Sequence, residues 1–141
     1  MILTGEIGFF EIKVLHSNNA SSNDFWETNW LYSSIKGNFP GFDFNFNVSI
    51  RTDDFKRAFD QLQDLIAHKK SDADFLTLED NINLHFKREH TGVVKVSGKV
   101  VATELSSCSL EFNFSTDITT VENFTSEIDK VLNKYPIIGI A

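Results

Sequence analysis

Alternation of apolar and polar residues is the strongest signal along this chain of 141 residues. Between residues 42 and 50 it is unbroken, with Asp43, Asn45, Asn47 and Ser49 set between Phe42, Phe44, Phe46, Val48 and Ile50. Because successive side chains of a strand point to opposite faces, the pattern predicts a strand with one buried face and one wet face. Strands of this kind are typical of antiparallel sheets.

Weaker patterns of the same type predict further strands. The first segment, residues 2–15, is rich in Ile, Phe and Val and indicates a strand or a hairpin; the others are residues 26–36, 75–78, 82–88, 93–103 and 107–115. The connections at residues 89–92 and 104–106 are short enough for hairpin turns. The 14 phenylalanines of the chain make these strands aromatic.

Two segments have helical spacing instead. Residues 53–68 carry an apolar stripe, with Thr52 as the expected N-cap; the stripe is Phe55, Phe59, Leu62, Leu65 and Ile66. The second helix opens at residues 119–122, which have the Thr-x-x-Glu form of a capping box, and it closes at Tyr135-Pro136. Its stripe is Val121, Phe124, Ile128, Val131 and Leu132.

These elements predict one α+β domain spanning residues 1–141, without linker or internal repeat. The expected order is β-β-β-α-β-β-β-β-α, with a single antiparallel sheet and both amphipathic helices packed on its apolar face. A chain of this length can bury about 70% of the surface that its unfolded form exposes, so no metal or disulfide is needed to hold it together.

Charge, hydropathy and cysteine content narrow the kind of partner and the cellular compartment. A formal net charge of −7 argues against nucleic acid, which is bound through clusters of Lys and Arg. No apolar run reaches the ~18 residues of a membrane span, and no basic, apolar leader opens the chain. Cys108 is the single cysteine, so no internal disulfide can form, which indicates a reducing cytoplasm or a protein indifferent to redox state.

Candidate catalytic or metal-binding groups do not form a known motif. The four histidines, His16, His68, His85 and His90, have no metal-ligand spacing with one another or with Cys108. Cys108 is expected to pack within a strand. The carboxylate pair Asp72 and Asp74 falls in an expected polar connection and lacks the rest of a calcium loop. We therefore expect no enzyme activity, no metal and no cofactor.

Three segments, taken in order, resemble a known family. They are residues 24–31 (Asp-Phe-Trp-Glu-Thr-Asn-Trp-Leu), residues 52–55 (Thr-Asp-Asp-Phe) and residues 110–117 (Leu-Glu-Phe-Asn-Phe-Ser-Thr-Asp), the last leading into the helix that closes at Tyr135-Pro136. Over residues 24–136 the chain resembles the WapI family of bacterial immunity proteins. The resemblance implies a cytoplasmic inhibitor that binds the toxin domain of a polymorphic or contact-dependent toxin and blocks it without chemistry.

The expected function is therefore binding and neutralising a cognate toxin by occlusion. A non-enzymatic binding module or adaptor of unrelated role is the alternative, followed by an enzyme whose site is assembled from distant residues. An acidic surface would steer a basic toxin. The predicted partner-binding residues are Asp24, Glu27, Asp43, Asn45 and Glu111, whereas Trp26 and Trp30 are expected to be core anchors.

Overall fold

The computed structural model describes residues 1–18, 22–102 and 108–141, which form two copies of one arrangement, four strands followed by a helix. The first copy contains β1 (Ile2–Thr4), β2 (Phe9–Ser17), β3 (Trp30–Phe39), β4 (Phe42–Arg51) and α1 (Thr52–Ile66). The second contains β5 (Asp72–Leu76), β6 (Ile82–Arg88), β7 (Val93–Val101), β8 (Ser109–Asp117) and α2 (Ile118–Lys134). No helix among these residues is both long and apolar enough to cross a membrane.

The α+β class is confirmed, but the expectation of one sheet is wrong. There are two antiparallel four-stranded sheets, sheet 1 with order β1-β2-β3-β4 and sheet 2 with order β5-β6-β7-β8. In both, each strand pairs with the next along the chain. Alternation shows which face of a strand is buried but not which strand lies beside it. In the chain α1 separates β4 from β5, and these two strands do not pair.

The expected element order also lacked one strand, because the segment 2–15 is a hairpin of two strands rather than a single strand.

Although no repeat is visible in the sequence, the structure repeats the same element order. One feature common to both halves is a glycine under an aromatic ring: Gly37 of β3 lies opposite Phe44, and Gly98 of β7 lies opposite Phe112. A β-carbon at either glycine would lie 2.3 Å from the Cζ of that ring.

Aromatic rings join the two sheets. The ring of Phe112 from sheet 2 lies 5.9 Å from that of Phe10, 4.8 Å from that of Phe39 and 5.8 Å from that of Phe44, all three from sheet 1. A hydrogen bond from Thr116 Oγ1 to the carbonyl of Thr4, at 2.7 Å, links the sheets nearby. The buried apolar residues consequently form one core.

Each helix contacts the edge strand of the other half, since α1 packs against β5 and α2 against β1, and the two helices also pack together. Their bounds agree closely with the predicted 53–68 and 119–135. The N-caps differ from those predicted. The N-cap of α1 is Arg51 rather than Thr52, and that of α2 is Asp117, whose carboxylate accepts the N–H of Thr120 at 2.7 Å. Tyr135 ends α2 as predicted.

The apolar side chains of β4 are not all buried, although their alternation predicted one buried face. Val48 and Ile50 are buried and Phe44 and Phe46 half-buried, but Phe42 is 39% exposed at the turn into β4. The strand predicted at residues 93–103 ends earlier, because β7 stops at Val101; residue 103 lies outside the described residues. The hairpin predicted at residues 104–106 lies outside the described residues.

We predict that Gly98→Ala lowers the free energy of unfolding by about 1–3 kcal/mol, because the new methyl group must displace the buried ring of Phe112. Urea denaturation measures the change. In a Phe112→Leu background the same substitution should have a smaller effect, since the opposing ring is gone. An equal effect in both backgrounds would contradict the ring contact as its cause.

Candidate interaction site

Residues 22–29, between β2 and β3, form a tightly bonded loop. The Asp24 carboxylate accepts the backbone N–H groups of Trp26 at 2.8 Å and Glu27 at 3.0 Å. The carbonyl of Asp24 accepts the Thr28 hydroxyl at 2.6 Å. Asp24, Trp26 and Glu27 are exposed although their backbone is fixed, so this loop presents an ordered surface.

Arg51, the last residue of β4, holds this loop from inside and is fully buried. Its Nη2 donates to the carbonyl of Phe25 at 2.8 Å, and its Nη1 to those of Trp26 and Thr28, both at 3.3 Å. Its Nε donates to Asp53 at 2.8 Å. A buried guanidinium is tolerated only when its donors are satisfied, and here carbonyls and a carboxylate satisfy them.

Three aromatic rings enclose the same guanidinium. Its Cζ lies 4.8 Å from the ring centroid of Phe25 and 5.0 Å from those of Trp26 and Trp30. Cation–π contact with a desolvated guanidinium is favourable. The Trp26 ring nevertheless remains 56% exposed, so the expectation that it is a core anchor is wrong; Trp30 is half-buried.

Asp54 connects this corner to the second half of the chain. One of its carboxylate oxygens accepts the backbone N–H of Arg51 at 3.2 Å and that of Leu78 at 3.3 Å, and the other is paired with Arg57. Burial raises the pKa of the Asp54 carboxyl above its ordinary value, and the two backbone hydrogen bonds oppose this rise. The loop at residues 77–81 is thereby attached beside the loop at residues 22–29.

Residues beyond α2 also attach to the first loop. The Asn29 side chain donates to the carbonyls of Phe25 at 3.1 Å and Ile138 at 2.9 Å, and its Oδ1 accepts the N–H of Ile138 at 2.8 Å. Asn29 has φ of 66°, in the left-handed region that Asn tolerates better than most residues. The loop at residues 22–29 is therefore fixed by contacts from β4, α1 and the segment after α2.

The structure brings together only part of the predicted partner-binding set. Asp24 and Glu27 lie in the loop held by Arg51. Asp43 and Asn45 lie on the polar face of β4, and Asp43 precedes Arg51 by eight residues, which in a strand corresponds to about 27 Å. Glu111 lies on β8 in the other sheet. The wide polar face expected of a single sheet is thus divided between two sheets.

The polar face of sheet 2 contains a cluster that the sequence did not reveal. His85 lies between two carboxylates, with Nδ1 2.8 Å from Asp74 Oδ1 and Nε2 2.9 Å from Asp72 Oδ1. Asp72 and Asp74 belong to β5 rather than to the polar connection expected. The spacing Asp-x-Asp with a histidine on the paired strand would have been the signal, but it becomes visible only when the register is known.

Hydrogen bonding to Asp74 is the main cause that raises the pKa of His85 above its ordinary value of 6.5, with further contributions from the charge of Asp74 and from Asp72. Hydrogen bonding to Ser71 and His85 lowers the pKa of Asp72. Among the residues that the structure describes, no group of three or more His, Cys, Asp or Glu side chains is placed to hold a metal ion. Cys108, expected to be packed in a strand, is exposed just before β8.

An open groove of about 590 Å³ is lined by residues of the loop at residues 77–81 and of sheet 1. Glu79 and Asn81 come from the loop, Trp30 from β3, and Asn47, Val48 and Ser49 from β4. Its lining combines amide, hydroxyl, carboxylate and aromatic groups. These groups can bind a polar partner surface.

Comparison with known proteins defines first the fold and then the family. The fold is similar to that of trypanosome MRP1/MRP2, with a TM-score of 0.50 and 7% identity over 90% of this chain and 74% of that one. It is equally similar to the plant transcriptional regulator PBF-2, with a TM-score of 0.50 and 8% identity over 98% and 80%. At such identities the likeness concerns the fold alone.

The family is established by sequence. The model of the immunity protein WapI-like family matches residues 1–136, and the chain belongs to that family. The match begins at the first strand and so extends beyond the residues 24–136 that carried the resemblance. No curated protein matches the sequence significantly.

We predict that Arg51→Met lowers the free energy of unfolding by about 3–5 kcal/mol, because it leaves Asp53 and three carbonyls without their buried partner. Urea denaturation measures this loss. The matched control is Lys56→Met, which removes an exposed ion pair with Asp60 and should change stability by less than about 1 kcal/mol. Similar losses in the two variants would contradict the role assigned to Arg51.

For His85 we predict a pKa above 6.5 by NMR titration, and a fall toward 6.5 in Asp74→Asn. A histidine whose pKa is raised by folding contributes stability that is complete below its unfolded pKa and is lost as the pH rises through its folded pKa. Asp72→Asn should cause a smaller fall in the pKa of His85, since Asp74 is the larger cause. A pKa of His85 below 6.5 in the unmodified chain would contradict the cluster.

Proposed function

We propose that this chain is an immunity protein that binds a cognate bacterial toxin in the cytoplasm and neutralises it by occlusion, without catalysis. Membership of the immunity protein WapI-like family, over residues 1–136, is the observation that carries this proposal. The partner is a protein, namely the toxin domain, and no cofactor takes part.

Charge supports a basic toxin as the partner. The chain has a formal net charge of −7, and an acidic surface accelerates its encounter with a basic one at low ionic strength. Such steering acts on the association rate, and salt screens it beyond a Debye length of about 8 Å at 0.15 M. Rapid association is useful to an inhibitor that must reach its toxin before the toxin reaches a target.

Protection and stoichiometry together test this function. The toxin domain encoded beside this chain should arrest growth when expressed alone and should not do so when the chain is co-expressed. With purified proteins, toxin activity should fall in proportion to added chain and reach its minimum at one equivalent, because each inhibitor molecule occupies one toxin molecule.

Inhibition far below one equivalent would instead indicate that the chain modifies the toxin or its target catalytically. Absence of both a complex and protection would overturn the proposed function. Size-exclusion chromatography of the equimolar mixture distinguishes these outcomes, since occlusion requires a stable complex to co-elute.

A further inference from the structure

We propose that the toxin binds at the corner formed by the loops at residues 22–29 and 77–81, with Trp26 as the central contact and a basic patch of the toxin as the occupant. This proposal rests on the proposed function and specifies the surface that carries it out. We call this surface the acidic corner and define it by its exposed residues: Asp24, Trp26, Glu27, Leu78, Glu79 and Asp80.

Exposure of Trp26 is the first observation. A side chain that is 56% exposed adds little to the core, yet both polar groups of the Trp26 backbone are engaged. Its N–H donates to Asp24, and its carbonyl accepts from Arg51 at 3.3 Å and from the Trp30 indole at 3.1 Å. Binding hot spots are enriched in Trp, and a residue ordered in advance loses little conformational entropy when a partner binds.

The loop is held by several contacts besides that of the Trp26 ring. Phe25 and Trp30 also lie against the Arg51 guanidinium, at 4.8 and 5.0 Å, and all the hydrogen bonds from Arg51 to the loop end on backbone carbonyls. None of those contacts involves the Trp26 ring. The exposed aromatic surface is therefore available for contact with a partner.

The second loop adds an apolar residue and more negative charge. Leu78 is 52% exposed, and its backbone N–H shares the Asp54 carboxylate oxygen with that of Arg51, which places the loop at the same corner. Neither residues 22–29 nor residues 77–81 contain a Lys, Arg or His. Arg57, an exposed cation on α1, is paired with Asp53 and Asp54.

Apolar side chains ringed by carboxylates suit a partner that offers an apolar pocket surrounded by Lys and Arg. The apolar centre supplies the burial that holds the complex, and the ring of charge supplies rapid encounter and register. The two sheets differ from this pattern, because their acids are interspersed with lysines, such as Lys36 opposite Glu11 and Lys99 opposite Glu111.

Affinity for the toxin domain encoded beside this chain tests the central contact. Trp26→Ala should weaken the complex at least thirtyfold, about 2 kcal/mol at 1.4 kcal/mol per factor of ten, mainly through faster dissociation. Phe42→Ala, which truncates an exposed aromatic at the far end of β4, should change affinity less than threefold. Circular dichroism and urea denaturation establish that both variants are folded.

Charge neutralisation tests the carboxylates of the acidic corner. Glu27→Gln with Asp80→Asn should slow association at low salt and flatten its dependence on salt. Asn is chosen at position 80 because it tolerates the φ of 57° found there. The control pair Glu122→Gln with Asp129→Asn, on α2, removes equal charge and should have a smaller effect. A greater loss of association rate on neutralising Asp43 and Glu111 would overturn the inference and assign binding to the sheet faces.

Fluorine NMR reports on the contact of Trp26 in the unsubstituted chain, and a substitution is needed only to assign the resonance. When this chain alone is labelled with 5-fluorotryptophan, it shows two resonances, which Trp26→Phe assigns. On addition of unlabelled toxin domain, the Trp26 resonance should shift and lose its solvent isotope effect as water is excluded from the ring. A complex that forms but leaves this resonance unchanged would overturn the acidic corner, whereas absence of any complex would overturn the proposed function itself.

Discussion

The buried guanidinium of Arg51 is the constraint on which the surface of this protein depends. A charge placed at the end of β4, with no exposure to solvent, requires acceptors for its donors, and the chain supplies them from the carbonyls of residues 25, 26 and 28 and from Asp53. The loop before β3 must therefore close over β4. In doing so it brings Trp26 to the surface and aligns Asp24 and Glu27 beside it.

The same corner is where the two halves of the chain meet. Asp54 accepts backbone N–H groups from both halves, Arg51 on one side and Leu78 on the other. Elsewhere the halves are joined by stacked phenylalanine rings around Phe112 and by helices that contact the opposite half. A surface built across such a junction has a fixed shape, because moving either loop would break buried polar contacts as well as apolar ones.

A fixed acidic and aromatic corner agrees with the inhibitor role that we propose for this member of the immunity protein WapI-like family. An inhibitor of this kind gains affinity by presenting an ordered surface, since ordering of flexible loops on binding would subtract from it. The exposed indole is the clearest example. Trp26 packs one side of its ring against the buried Arg51 guanidinium and remains 56% exposed.

Much of the fold was predictable because it depends on local patterns. Period-two alternation located β4, β6 and β8, helical stripes located α1 and α2 to within two residues, and Tyr135-Pro136 correctly marked the end of α2. Asp24 and Glu27, predicted as partner-binding residues, are both exposed. Family resemblance was also present in the sequence, as short motifs in a particular order.

Pairing between distant residues was decided only by the tertiary structure. The sequence does not state that β4 and β5 belong to different sheets, that His85 lies between Asp72 and Asp74, or that Arg51 lies under Trp26. Each of these depends on strand register or on the packing of one element over another. The contacts of His85 with the two aspartates and of Arg51 with the loop join residues 11 to 26 positions apart in the sequence. Alternation and helical spacing describe only which face of an element is buried, so they determined the elements of this protein, whereas long-range packing determined its surface.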